Sequence, residues 1–282
     1  MTERKLKIYE EPSEFLVDDN VKLEVKSYYA DRDAPRIVSA TGLGGSAGTC
    51  HFIDYLARDY HVVTFSPRNA GESNGHFTFD SYISDSAKII DHLSQKDGRT
   101  PLGIGYSTGG YVLARLLGER ALVERAILLA PLLQMSEQHH FLANGYFKFC
   151  IKTNKTPLLG LLSGINVNSE GNYAELDRQR FGLDELPSFF KSFYDSALCD
   201  KKLLSPTKVV LTGGTCFGLP MFSRELKRLK TVWEGLDAEV DIYPDINHWF
   251  SGSKWFSGVG DVFCLSEKIG ATRSMEEFFK RK

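Results

Sequence analysis

Apolar residues along this chain come in short runs that alternate with longer amphipathic stretches. From Ile37 onward most of the runs are continuous rather than alternating, which is typical of strands buried on both faces of a parallel sheet. Their alternation with helical patterns predicts an α/β protein with a mostly parallel, doubly wound sheet. The predicted strands are 22–29, 37–41, 62–65, 102–105, 126–130, 208–211 and 239–243, and the predicted helices are 49–58, 79–94, 110–118, 223–236 and 266–281.

The opening of the chain has a different pattern. Residues 6–17 and 22–29 are two strand-like runs, and the polar residues Asp18, Asp19 and Asn20 lie between them. Short connections rich in Asp and Asn are typical of turns between antiparallel strands. The pattern predicts an antiparallel hairpin at the edge of the sheet.

The alternation of strands and helices stops between Pro131 and Pro206. This segment contains short helix-like pieces and many aromatic side chains, and no strand–helix–strand unit fits it. We predict a helical lid (or cap) over residues 133–202, inserted into an α/β core formed by residues 1–132 and 203–282. A longer stretch of ordinary core helices is the alternative.

The most informative motif is Gly105–Gly109, with the sequence Gly-Tyr-Ser-Thr-Gly. It follows a predicted strand and precedes a predicted helix, so Ser107 lies at the apex of a sharp turn, as in a nucleophile elbow. Glycines two residues to either side let the strand and the helix approach closely, because they have no Cβ atom. Such a turn holds a hydroxyl beside the first N–H groups of a helix, which can stabilise a developing oxyanion.

Four motifs together resemble the α/β-hydrolase fold, in the broad group of capped esterases, lipases and thioesterases. The resemblance covers about residues 20–132 and 203–280. Besides the serine turn, the motifs are Thr41–Ser46 after a predicted strand, Arg68–Ser73, which is similar to the family's R-G-x-G-x-S turn, and Asn247–Phe250 after the last predicted strand.

The resemblance implies a catalytic role for four residues. Ser107 corresponds to the nucleophile of the family and His248 to its general base, while the backbone N–H groups of Leu43 and Thr108 correspond to the oxyanion hole. A serine hydroxyl needs an imidazole to accept its proton, and the imidazole needs an anion that fixes its tautomer and stabilises its charge. The implied reaction is hydrolysis of an ester or thioester through an acyl-enzyme on Ser107. The aromatic lid points to an apolar acyl or aromatic group in the substrate.

The acid of the catalytic triad is the main departure from the family. Cys216 stands where the family usually carries an aspartate, in a G-x-x-D segment that follows a strand. A thiol has a pKa of about 8.5 and is harder to ionise when it is buried, so it is a weak partner for an imidazolium. Asp245, the nearest carboxylate before the histidine, and Glu137, after an earlier strand, are candidate substitutes. Asp195 and Asp200 come third.

Other polar positions are expected to be structural. Thr41 replaces the histidine that the family carries before the glycine of its oxyanion loop, which removes a side chain but no N–H donor. Arg68 and Glu72 are predicted to be pairing groups rather than substrate ligands, because ion pairs in loops are common. His139 and His140 have no further ligands at fixed spacing, so we predict no metal site.

Two other functions stay open. The spacing Gly42-x-Gly44-x-x-Ala47 fits the dinucleotide fingerprint and follows a strand, so an NADP-dependent reductase is one alternative. Arg68, near the end of the next predicted strand, could suit a 2′-phosphate. The other alternative is a hydrolase-fold protein that binds a small molecule without catalysis, because Cys216 occupies the acid position.

Composition narrows the range of partners and locations. The chain has 282 residues and a net charge of −2, which gives no electrostatic reason to expect nucleic acid or an anionic membrane surface. Its five cysteines are dispersed and show no CxxC spacing, so neither a disulfide framework nor a zinc site is predicted. The charged opening and the lack of a long apolar run predict no signal peptide, no membrane span and a cytoplasmic location. We expect a small-molecule ester or thioester as partner, without a cofactor; the oligomeric state is open.

Overall fold

A computed structural model of the protein describes residues 7–18, 20–42, 45–48, 52–131, 201–213, 223–246 and 261–281. The chain divides into two compact units: Met1–Leu129 with Leu203–Thr207, and Ala130–Lys202 with Lys208–Lys282. The predicted lid lies outside the described residues as far as residue 200, so the proposed domain division stays a prediction.

The first unit is built on six strands. They lie in the order β1-β2-β4-β3-β5-β6; β1 pairs with β2 and β2 with β4 in antiparallel fashion, and the remaining neighbours are parallel. Three helices accompany them. The strands are β1 (Tyr9–Asp18), β2 (Val21–Tyr29), β3 (Arg36–Ala40), β4 (His61–Phe65), β5 (Leu102–Tyr106) and β6 (Ala126–Leu129), and the helices are α1 (Ile53–Leu56), α2 (Phe79–Asp97) and α3 (Thr108–Leu117).

The burial of each strand follows its sequence pattern. Strands β3 to β6 are buried along almost their whole length, as expected for continuous apolar runs in a parallel sheet. Strand β1 is mostly exposed and carries Pro12, whose missing N–H is tolerated at a sheet edge. The predicted hairpin at the edge of the sheet is confirmed.

Helices α2 and α3 cover the strands with apolar faces. Helix α2 begins at Thr78, whose side chain and that of Ser81 form a reciprocal capping box, and it ends at Gly98, which has the left-handed conformation that favours glycine. Its buried face includes Tyr82 and Ile89. Helix α3 is buried on nearly every side, because its sequence is apolar apart from Thr108 at its start and Arg115.

The second unit contains two parallel strands and two helices. Strands β7 (Thr207–Thr212) and β8 (Glu239–Tyr243) pair from Lys208 with Glu239 to Thr212 with Tyr243. Helix α4 (Ser223–Gly235) packs on them through Trp233, which is fully buried, and α5 (Asp261–Lys280) follows.

The structure confirms the predicted α/β class and, to within about one residue at most ends, the strands. The helix predicted over 49–58 is wrong in extent, because the described helix in this region is the single turn α1. Phe52 precedes that turn with a φ of 65°, a left-handed conformation that a continuing α-helix excludes. Within the described residues, no helix is both long and apolar enough to cross a membrane.

Candidate active site

Ser107 lies at the junction of β5 and α3, as predicted. Its φ of 52° and ψ of −113° place it on the side of conformational space that is costly for a residue with a Cβ atom, by roughly 1–3 kcal/mol. The chain on either side fixes this conformation. The Ser107 N–H donates to the carbonyl of Leu129 at 2.9 Å, and its own carbonyl accepts the N–H of Tyr111 at 3.2 Å. Strained residues of this kind cluster at active sites and ligand-binding sites.

The glycines on both sides of the serine are required by close backbone contacts. A Cβ atom at Gly105 would lie 2.7 Å from the carbonyl oxygen of Gly109, so the strand can approach the first turn of α3 only without a side chain. A Cβ atom at Gly109 would lie 2.1 Å from the carbonyl oxygen of Ala40. The close approach expected from the motif is therefore present in the structure.

The loop that follows β3, residues 41–48, starts directly beside the serine; we call it the β3 loop. A Cβ atom at Gly42 would be 3.3 Å from Cβ of Ser107 and 3.0 Å from the ring of Tyr106. The N–H of Gly45 donates to the carbonyl of Gly42 at 3.0 Å and closes a tight turn. Leu43, the predicted oxyanion donor in this turn, lies outside the described residues, as does Gly44.

Thr108 is the first residue of α3. Its N–H is one of the helix-terminal donors that have no intrahelical acceptor, which suits the predicted oxyanion role. The side chain of Thr108 is fully buried, and its Oγ1 has no hydrogen-bond partner within the described parts of the chain. Ser107, Thr108 and Gly42 all belong to the first unit.

In the second unit, the last described residue before Cys216 lies against the end of β8, after which the chain continues to His248. The N–H of Gly213, just after β7, donates to the carbonyl of Tyr243 at the end of β8, with a distance of 3.1 Å. A Cβ atom at Gly213 would lie only 1.7 Å from the carbonyl oxygen of Pro244. The chain leading to Cys216 and the chain leading to His248 therefore leave the strands at neighbouring points.

The predicted acids are only partly described. Asp245 lies in the turn after β8 and is exposed, and Ile246 after it is buried. Cys216, Glu137 and His248 lie outside the described residues, and so do Asp195 and Asp200.

Arg68 is a structural pairing group, as predicted. Its guanidinium donates to both carboxylate oxygens of Asp85, at 2.7 and 2.9 Å, and to Asp18 at 2.6 Å. These hydrogen bonds, the one to Asp85 first, raise the pKa of Arg68 above its ordinary value. The side chain therefore ties the loop after β4 to α2 and to the hairpin. Glu72 is attached through its backbone instead, because its N–H donates to the carboxylate of Glu24 at 3.2 Å.

The described residues around the dinucleotide fingerprint do not show the turn and helix that such a motif requires. A pyrophosphate binds to such a fingerprint because the glycine-rich turn opens directly into a helix whose N–H groups face the ligand. Here Ala47 and Gly48 lie in a turn, and the first helix described after them is the single turn α1, which begins at Ile53. The described residues therefore give the reductase alternative no support.

Two buried hydroxyls that bind the β3 loop were not predicted from the sequence. Tyr82 on α2 donates to the carbonyl of Thr41, and Ser66, just after β4, accepts the N–H of Ala47. Their partners are backbone groups about twenty to forty positions away in the chain, and no periodicity or motif signals such pairs. As for metals, no group of three or more His, Cys, Asp or Glu side chains suited to an ion occurs among the described residues.

Comparisons with known proteins point to one family. A model of the alpha/beta hydrolase family matches residues 37–250. A search of curated proteins finds no significant match. Solved structures that resemble this fold include an esterase from Pyrococcus furiosus, with 16% identity, a TM-score of 0.61 and coverage of 98% of this chain and 91% of that chain. A hydrolase from Pseudomonas aeruginosa has 15% identity, a TM-score of 0.67 and coverage of 96% and 98%. An enol-lactonase from Burkholderia xenovorans has 15% identity, a TM-score of 0.59 and coverage of 93% and 98%.

Proposed function

Because the chain belongs to the alpha/beta hydrolase family, we propose that it is a serine hydrolase that cleaves a carboxylic ester or thioester through an acyl-enzyme on Ser107. The observation that carries this proposal is the backbone of Ser107. A strained serine between a buried strand and a helix, packed against the glycine of the preceding loop, is the arrangement that presents a nucleophile next to N–H donors. Esterase and enol-lactonase activities of proteins with a similar fold support an ester substrate.

The proposed reaction has two steps that share one base. Oγ of Ser107 attacks the acyl carbon while His248 accepts the hydroxyl proton, and the N–H groups of Thr108 and Leu43 stabilise the oxyanion. When the tetrahedral intermediate collapses, the bond to the leaving group breaks and His248 donates the proton to the departing alcohol or thiol. Water activated by His248 then attacks the acyl-enzyme, releasing the acid and restoring the Ser107 hydroxyl.

The acid that orients His248 is proposed among three positions. The loops of Cys216 and His248 leave β7 and β8 side by side, which supports a direct partnership between these two residues. Asp245 is exposed, so water screens its charge and weakens its effect on an imidazolium. Glu137 is the third candidate. Aspartate at the Cys216 position should raise turnover if no other carboxylate serves, and alanine at both Asp245 and Glu137 should abolish it if one of them does.

The substrate is proposed to carry an apolar acyl or aromatic group. The support is the aromatic-rich segment of residues 133–202, which is predicted to form a lid and lies in the sequence between the two parts of the α/β core. A small molecule is the expected partner, and the cytoplasmic location stays a prediction from the sequence.

A chain-length series of p-nitrophenyl esters tests the proposal. We expect wild-type protein to hydrolyse some members from acetate to dodecanoate, and we expect Ser107→Ala to lose this turnover by a factor of about 10⁴ or more. The acyl chain length that is hydrolysed fastest then indicates the length of the acyl pocket. If no ester is hydrolysed in a Ser107-dependent way while one of them still binds, the protein is a non-catalytic binding protein of this fold.

A further inference from the structure

The first end of the β3 loop is held by a tyrosine from α2. The hydroxyl of Tyr82 donates to the carbonyl of Thr41 at 2.7 Å. The side chain is almost fully buried, and its ring packs edge-on against Phe65 and tilted against Phe77. Burial raises the pKa of Tyr82 above its ordinary value, so the hydroxyl stays protonated and remains a donor. Thr41 is the residue immediately before Gly42, which lies against Ser107.

The other end of the loop is held by two hydroxyls that belong to β4 and the residue after it. Ala47 is fully buried, and its N–H donates to Oγ of Ser66 at 2.8 Å. Its carbonyl accepts a hydrogen bond from Oγ1 of Thr64. Both backbone groups of Ala47 are thus bound to side chains at the end of β4 and just after it.

A carboxylate fixes the orientation of the Ser66 hydroxyl. A hydroxyl has one proton to donate, and Ser66 donates it to Oε2 of Glu24 at 2.5 Å, which leaves a lone pair directed at the N–H of Ala47. The carboxylate is held in turn by the N–H of Glu72. Ser73 closes the network, because its Oγ donates to the carbonyl of Ser66 and accepts the N–H of Glu24.

We propose that Tyr82 and the Ser66–Glu24 pair are positioning residues that hold the β3 loop beside Ser107 at the distance the transition state requires. This inference rests on the proposed function. The β3 loop is held at Thr41 and Ala47, and Gly42 lies between these points, against the serine. An oxyanion donor acts on the charge that develops in the transition state, so a displaced loop lowers kcat and leaves the binding of the ground-state ester nearly unchanged.

Two substitutions remove one hydroxyl each without introducing a new group. We expect Tyr82→Phe and Ser66→Ala each to lower kcat about 10-fold to 100-fold, because small displacements of a catalytic group carry costs of this size. KM should stay within about twofold of the wild-type value, and the affinity for a boronic acid, which forms a charged tetrahedral adduct with serine, should fall with kcat. Glu24→Gln keeps an acceptor for Ser66 and should lie between wild type and Ser66→Ala.

Matched controls separate positioning from loss of stability. Tyr29→Phe removes a tyrosine hydroxyl bonded to Glu11 in the hairpin, and Ser205→Ala removes a buried serine hydroxyl bonded to the carbonyl of Val123 at 2.7 Å. Both should leave kcat and boronic acid affinity at wild-type values. Hydrogen exchange at the Ala47 amide gives a readout free of turnover, because Ser66→Ala should accelerate it.

The outcomes are distinct. If Tyr82→Phe and Ser66→Ala keep the wild-type kcat, or if the controls lose as much, the positioning role is overturned while the proposed function stands. If Ser66→Ala raises KM alone, the network serves substrate binding and the positioning role is again wrong. If wild-type protein shows no Ser107-dependent turnover of any ester, the proposed function fails and the inference fails with it.

Discussion

The two ends of the parallel strands in the first unit differ in their backbone conformations and in the side chains that join them to neighbouring elements. Beyond the carboxyl ends of β4 and β5, the chain turns through residues with positive φ: Asn69 at 61° and Ser107 at 52°. Before the amino ends of β3, β4 and β5, residues 31–36, 57–61 and 98–102 include no non-glycine residue with a positive φ.

At the amino ends of β3 and β4, charged and titratable side chains join neighbouring elements without strained backbone. Arg36, the first residue of β3, forms a largely buried ion pair with Asp97 at the end of α2. His61, the first residue of β4, is paired with Arg36 in the parallel register, and its Nδ1 lies 3.0 Å from the carbonyl oxygen of Arg32. At these amino ends, an ion pair and a side-chain contact to the backbone join neighbouring elements, and the backbone keeps ordinary conformations.

The difference shows where the fold contains unfavourable backbone conformations. In the first unit, the strained Ser107, the glycines that its turn requires, and the hydroxyls of Tyr82 and Ser66 that bind the β3 loop lie at the carboxyl ends of the strands, where ligands of open α/β sheets bind. Substitutions at those ends should disturb activity or the close approach that makes the site. Substitutions at the amino ends should change stability or its dependence on pH.

The largest expected effect is on the close approach at the serine turn. In Gly109→Ala, the new Cβ would meet the carbonyls of Ala40 and Thr41 at 2.1 and 2.5 Å, and backbone atoms cannot rotate away. We expect a loss above about 4 kcal/mol in the free energy of unfolding, measured by urea denaturation, or no folded protein. The control is Gly235→Ala at the end of α4, where nothing lies within 4 Å of the new atom. Equal stabilities for the two variants would contradict the account.

The second effect is at the amino end of β7, in the second unit. Lys208 is almost fully buried, and its ammonium pairs with Asp241 at 3.0 Å and with Glu239. Lys208→Met should cost about 2 kcal/mol of unfolding free energy, because Asp241 loses its cation while Glu239, whose side chain is 38% exposed, keeps its ion pair with Arg281. Activity per folded molecule should stay at the wild-type level. A fall in kcat with unchanged stability would show that this cluster serves the site.

The smallest effect is a dependence of stability on pH. Burial lowers the pKa of His61 below its ordinary value, with Arg36 lowering it further and Asp97 opposing the shift. Below about pH 6.5 the unfolded chain therefore binds a proton that the folded protein does not, and stability falls as the pH decreases. The slope contributed by His61 is at most about 1.4 kcal/mol per pH unit. Urea denaturation at pH 7.5 and 5.5 should show a smaller loss in His61→Asn than in wild type; identical losses would refute the assignment.

Much of the fold follows from local sequence. The strands are predictable because continuous apolar runs identify buried parallel strands, and the serine turn is predictable because only glycine permits its two close contacts. The single turn α1 and the burial of Lys208 are not predictable, since they depend on the left-handed Phe52 and on carboxylates supplied by another strand. The network of Tyr82, Ser66 and Glu24 joins segments far apart in the sequence. The roles of His248 and Cys216 stay predictions, because they rest on the family resemblance.

The most direct test of the account is labelling with a fluorophosphonate, followed by mass spectrometry of the modified peptide. Because we propose that Ser107 is the nucleophile, we expect wild-type protein to carry one phosphonyl group on Ser107, and we expect neither Ser107→Ala nor denatured protein to be modified there. A folded wild-type protein whose Ser107 remains unmodified, under conditions that label a known serine esterase completely, would contradict the claim that this serine is a nucleophile.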